Sequence, residues 1–190
     1  MAVQLSNKLG EMSFTVDDYY KMIELGILHE DSKTEIIDGK LIDFMPIGSK
    51  HAGCVNKLSE IIRDATRHAS IVAVQNPVRL NNKQEPIPDI TLLKRREDFY
   101  AQSHPTANDV LLIVEVSDST IQFDRDTKIP IYAEAKIPEV WIINLQRNII
   151  EVYTKPRKKA FSLIKVLQRG ETLQSETVPN IRVEVDTILG

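Results

Sequence analysis

Four short apolar runs decide what this chain can fold into: residues 71–80 (IVAVQNPVRL), 89–93 (DITLL), 110–116 (VLLIVEV) and 140–145 (VWIINL). Each is rich in Val, Ile or Leu, as strands buried on both faces are. A sheet of that kind needs helices over it. In residues 49–69, Val55, Leu58, Ile62, Ala65 and Ala69 recur at spacings of three and four and make one apolar stripe. A second helical stretch, about Asp126 to Ala135, lies between the last two runs, and Pro130 must sit in its first turn or kink it. The passage from Val110 to Leu145 is long enough for a right-handed parallel crossover.

The flanks carry turn chemistry. Residues 1–12 read as a loose lead-in. Thr15 followed by Asp18 resembles a capping box with Asp in place of Glu, opening a short helix from Val16 to about Leu25 that stops at Gly26. In TEIIDGKLIDF, Asp38–Gly39 is a two-residue hairpin signal between strands Thr34–Ile37 and Lys40–Met45. Asn148–Tyr153 and Phe161–Leu167 read as a second hairpin, and residues 171–188 as a strand with a closing turn. There is no internal repeat. The order predicts one α/β domain over residues 1–190, a mixed central sheet flanked by helices with an N-terminal helix and hairpin. A hydrophobic content of 42% is enough for one sizeable core.

Composition narrows the function classes. A net charge of −3 gives no global signal for nucleic acid. The basic stretches Lys94–Arg95–Arg96 and Lys155 to Lys159 read as solvated loops. The single cysteine, Cys54, excludes an internal disulfide and points to a reducing compartment. It falls on the apolar side of its helix and reads as a packed thiol. One Cys and four scattered His form no zinc cage. No leader pattern and no run of about 18 apolar residues occur, so the expectation is a soluble cytoplasmic protein with no membrane partner.

Two of the strands carry acids. Asp89 opens one directly after Pro88, and Glu115 lies near the end of the next. If these strands are neighbours, both carboxylates converge at one sheet edge. Paired carboxylates either share acid and base roles or bind a hard divalent cation. Lys128, thirteen residues after Glu115, opens the following helix and can reach back over the strand end. Two plainer readings stand beside this one. Asp89 can cap a turn after Pro88, and Lys128 can be only the ion-pair partner that a buried Glu115 needs.

The spacing "PD", then "ExS", then Lys on the next helix resembles the PD-(D/E)XK nuclease superfamily. The ordered blocks TEIIDGKLI, GSKHAGCVNKL, VQNPVRL, EPIPDITLL, LLIVEVSDST and DRDTKIPIYAEAKIPEVWII resemble the Uma-two family of restriction endonucleases over about residues 14–155. The resemblance implies a restriction-endonuclease-like core, about residues 34–155, and Mg²⁺- or Mn²⁺-dependent phosphodiester hydrolysis. DNA is the implied substrate, and a homodimer the implied assembly for cutting two strands. Asp89 and Glu115 would ligate metal, with Glu35 a further candidate ligand, and Lys128 would be the catalytic lysine. Ser117 stands where most of the superfamily has that lysine, and relocation to the helix restores the charge. His51 and Gln75 match polar positions that touch phosphate or water. Plainer readings remain for these three: a cross-strand acid for Glu35, a solvated residue for His51, strand-edge bonding for Gln75. Lys136, where the family often has Gly, implies a different helix ending, and Val140 for Tyr a packing change. A catalytically silent binding module on the same fold, and a hydrolase of smaller phosphodiesters, are the alternative functions.

Overall fold

The computed structural model describes residues 13–29, 34–43 and 47–190; the expected lead-in at 1–12 and the strand end at Met45 lie outside them. The first helix, α1 (Val16–Glu24), has the capping box: Thr15 Oγ1 accepts the Asp18 amide at 3.0 Å, and Asp18 accepts the Thr15 amide at 2.9 Å. Strands β1 (Thr34–Ile37) and β2 (Lys40–Asp43) pair antiparallel across Asp38–Gly39, both at positive φ (52° and 70°). Gly39 is required there, because a Cβ would lie 2.8 Å from the Phe14 carbonyl oxygen. Helix α2 (Ser49–Thr66) follows.

The main sheet has six strands in the order β3 (Ser70–Val74), β4 (Ile90–Lys94), β5 (Val110–Ser117), β6 (Glu139–Asn144), β7 (Ile149–Arg157) and β8 (Ala160–Leu167). Only β5 and β6 run parallel, joined by the crossover expected between residues 110 and 145. That crossover is one helical segment in three parts: α3 (Ile121–Phe123), a π turn (Asp124–Lys128) and α4 (Ile129–Glu134). The pleat of β5 divides the interior. Leu112, Val114 and Val116 pack with Leu58 and Ile62 of α2, while Ile113 packs on the other face with Ile129 and Tyr132 of α4. The β1–β2 hairpin lies on the α4 side, where Ile37 joins that core.

Four expectations change. The strand expected over 71–80 ends at Val74, because Gln75 takes a positive φ of 50° and turns the chain away. The crossover helix begins at Ile121, five residues early. Lys155–Arg157 continue β7 rather than forming a loop, and the reversal waits for Lys158, at φ 52°. Residues 171–188 hold two strands, β9 (Thr172–Gln174) and β10 (Arg182–Glu184), and then α5 (Val185–Leu189). Buried Leu173, Ile181 and Val183 attach that hairpin to the α2 core. Beneath it, the wholly buried Glu139 accepts hydrogen bonds from Trp141 Nε1 (2.7 Å), Ser175 Oγ (2.8 Å) and the amides of Glu176 and Thr177 (3.0 and 2.9 Å).

Candidate active site

The register Ile90↔Val114 makes β4 and β5 antiparallel neighbours and puts Asp89 across from Glu115 at the sheet edge. Asp89 Oδ2 accepts the Val116 amide at 2.9 Å, a ladder bond replaced by a side chain. The same oxygen lies 3.0 Å from His51 Nε2 on the first turn of α2, and Oδ1 accepts Gln75 Nε2 at 3.3 Å. The turn at Gln75 that ends β3 therefore also aims its amide at Asp89. His51 Nδ1 is buried with no partner among the described residues. The Asp89 hydrogen bond raises the His51 pKa against the opposing effect of burial.

Glu115, two residues after Ile113, shares its face of β5 and so points to the crossover segment. Tyr132 Oη donates to Glu115 Oε1 at 2.5 Å. Lys128 Nζ lies 3.3 Å from Glu115 Oε1 and 3.3 Å from Glu35 Oε2. Glu35 Oε2 also accepts the Ile87 amide at 3.1 Å. Burial pushes the Glu115 carboxyl up to about 8, with Lys128 the main opposing influence. Burial pulls the Lys128 ammonium down, yet Glu115 and Glu35 beside it outweigh that and hold its pKa above the ordinary lysine range. The Tyr132 phenol is raised, first by burial and then by Glu115.

The π turn explains how Lys128 reaches this point. The Ile129 amide bonds the Asp124 carbonyl, five residues back, so the turn holds one more residue than an α turn. Pro130 then falls at the start of α4, directly behind the wide turn, and having no N–H it donates no bond back into that turn. The start of the wide turn is anchored twice. Asp124 Oδ2 accepts Ser117 Oγ at 2.6 Å and Thr120 Oγ1 at 3.0 Å. Arg125 clasps Glu151 on β7 through Nε at 3.0 Å and through its terminal nitrogen. Ser117, at the position of the superfamily's lysine, thus serves Asp124.

Asp89, Glu115, Glu35, Lys128 and His51 all line one cavity of about 410 Å³, with Gln75 beside them. Ser117 is wholly buried behind it. Two more residues belong here. Asp124 lines the cavity, and the trace it leaves in sequence is an acid between the E-x-S triplet and the lysine. Tyr132 reads as core from its apolar neighbours, and only its Oη reaches the site. Among the described residues, six carboxylates (Glu35, Asp43, Asp89, Glu115, Asp118, Asp124) and one ammonium, Lys128, line this cavity. Oxygen donors in excess of cations suit a hard divalent ion, which takes one or two carboxylates with water and phosphate completing its shell. Asp89 and Glu115 face each other across β4 and β5, and no group of three Asp, Glu, His or Cys among the described residues is arranged to hold an ion. Cys54 is buried, its thiol pushed up to about 11 by burial, which is a packed role.

A mixed sheet with one parallel pair, covered by helices on both faces and bearing acids at its edge, is the architecture of a nuclease fold. The chain matches the crystal structure of a "putative nuclease belonging to DUF820" from Anabaena variabilis ATCC 29413, with a TM-score of 0.70 and 16% identity, covering 93% of this chain and 97% of that one. Residues 16–186 match the profile of the Uma2 family, described as "Putative restriction endonuclease", and the chain belongs to that family. No curated protein matches it.

Proposed function

We propose that the chain is a divalent-cation-dependent endonuclease that hydrolyses phosphodiester bonds in DNA. The observation that carries this is the charge imbalance of the cavity: among the described residues that line it, six carboxylates face a single ammonium. A sealed ion pair made only for stability has no use for that excess. Asp89 and Glu115 would hold Mg²⁺ or Mn²⁺, which supplies a water of lowered pKa and polarises the scissile phosphate. The chain's own groups do the rest. Val116 N–H, His51 and Gln75 fix the Asp89 carboxylate. Tyr132 fixes Glu115. Lys128, held between Glu35 and Glu115, presents a fixed positive charge to the phosphate oxygens as negative charge builds on them. Support for DNA comes from the family's description as restriction endonucleases. Cutting both strands needs two such sites, and a twofold homodimer provides them.

The Glu115–Lys128–Glu35 contact also favours a second reading, a silent binding module that keeps the ion pair for stability. End-labelled DNA and RNA oligonucleotides, incubated with Mg²⁺, Mn²⁺ or EDTA, test the first reading. Metal-dependent cleavage of DNA is expected. No cleavage of either polymer, together with no heat of Mn²⁺ binding up to millimolar concentration, leaves the binding module.

A further inference from the structure

A second hollow, of about 670 Å³, opens on the other side of the α2 N-terminus from the acidic cavity, and Asp118 lines both. Its α2 wall carries Lys50, Gly53 and Lys57. Asn148 and Gln146, at the β6–β7 turn, face them. We infer that this hollow is the track along which the nucleic-acid backbone leaves the acidic cavity, with Lys50 and Lys57 as its phosphate contacts. The inference rests on the nuclease reading for what enters the cavity.

Three observations support it. First, the charge is uncommitted. Arg169 on the far rim is tied to Asp186 at 3.0 Å and to the Gly190 carbonyl at 2.8 Å. Lys50 and Lys57, both exposed, enter no ion pair among the described residues. Second, the spacing fits. Seven residues on a helix are about 10 Å, roughly three nucleotide rises of one B-form strand. Third, Gly53 sits between the two lysines on the same helix face, exposed, and a Cβ there would meet nothing within 4 Å. A mid-helix glycine weakens the helix relative to alanine. No packing among the described residues requires it, so the bare surface suits close approach of a molecule from outside. The α2 N-terminus between the two hollows has no side-chain cap and no acid in its first turn, which keeps that end favourable to anions.

The test is anisotropy of a fluorescein-labelled 20-base-pair duplex in EDTA, titrated with the full chain from 50 to 200 mM salt. The double variant Lys50→Gln/Lys57→Gln is compared with Lys158→Gln/Lys159→Gln, which removes the same charge at the β7–β8 turn, the opposite end of the sheet. Losing two phosphate contacts lowers the slope of log affinity against log salt by about 1.8. That drop is expected for the α2 pair and not for the control pair. Gly53→Leu is expected to weaken binding at least about fivefold while unfolding no earlier than wild type on heating. Glu115→Gln, inert in cleavage, is expected to keep the wild-type slope. Absence of duplex binding, an unchanged slope in the α2 pair, or equal losses in both pairs would overturn the track. Failed cleavage with the slope change intact would overturn only the nuclease reading.

Discussion

Replacing Lys128 with Met keeps most of the side-chain volume and removes the only ammonium among the described residues that line the acidic cavity. Its Nζ lies 3.3 Å from both Glu35 and Glu115, and all three side chains are 4–6% exposed. Removing one partner of a buried pair costs about 3–5 kcal/mol when the other stays charged. Glu115 has a way out, since burial has already pushed its carboxyl up to about 8 from an ordinary 4.5. In the wild type the folded chain holds this proton more tightly than the unfolded chain. Stability from this group therefore falls as pH rises from 4.5 to about 8 and then levels off. Without Lys128 the folded pKa climbs beyond 8, and the fall continues at about 1.4 kcal/mol per pH unit. Between roughly pH 8 and 9.5 the variant should lose about 2 kcal/mol more than the wild type. Lysine titration does not interfere, because its ordinary pKa of 10.5 lies above that window and the folded one higher still. Urea unfolding read by Trp141, the chain's one tryptophan and wholly buried, measures this directly. A stability difference that stays flat from about pH 7 to 9.5 refutes the coupling of Lys128 to Glu115.

Three further outcomes follow from the same geometry. Tyr132→Phe deletes the hydrogen bond to Glu115, so it should cost about 1.5–3 kcal/mol of stability and at least tenfold in cleavage rate; wild-type cleavage would place Tyr132 in the core alone. Because Glu115 binds metal only after losing its proton, Mn²⁺ affinity by calorimetry should rise up to about tenfold per pH unit from pH 6 and level off near pH 8, where a pH-independent affinity would count against Glu115 as a ligand. Glu139→Leu strands five donors, two of them in fully buried contacts, away from the acidic cavity, so it should lower the urea midpoint by the equivalent of about 3 kcal/mol or more while Mn²⁺ affinity in the folded fraction is unchanged.

Much of the frame was legible because it rests on local chemistry. The capping box at Thr15, the Asp38–Gly39 reversal and the α2 stripe are each written within a few residues. The meeting of Asp89 and Glu115 followed from two adjacent strands with acids at matching ends. What periodicity could not supply is geometry that depends on partners distant in sequence. The π turn is invisible to a pattern of threes and fours, because its extra residue is held by Ser117 on one strand and Glu151 on another. Pro130 hinted at it, since a proline two residues after Lys128 disfavours an ordinary helix through that lysine. Gln75 sits inside an apolar run, and only its positive φ marks the end of β3. Asp124 carries no motif of its own, and its burial depends on Ser117 and Thr120 across the strand end. Tyr132 reads as core one turn after Lys128, and it is Glu115 that its hydroxyl meets.

The central claim is that the carboxylates at the sheet edge form a metal-dependent hydrolytic centre. Cleavage of supercoiled plasmid in Mg²⁺ by the wild type, Asp89→Asn and Glu115→Gln tests it most directly. Both substitutions keep the side-chain shape and remove one charge from the cavity. Nicked or linear product is expected from the wild type, none in EDTA, and none from either variant. Equal cleavage by all three proteins would contradict it, and so would a wild type that leaves the plasmid supercoiled.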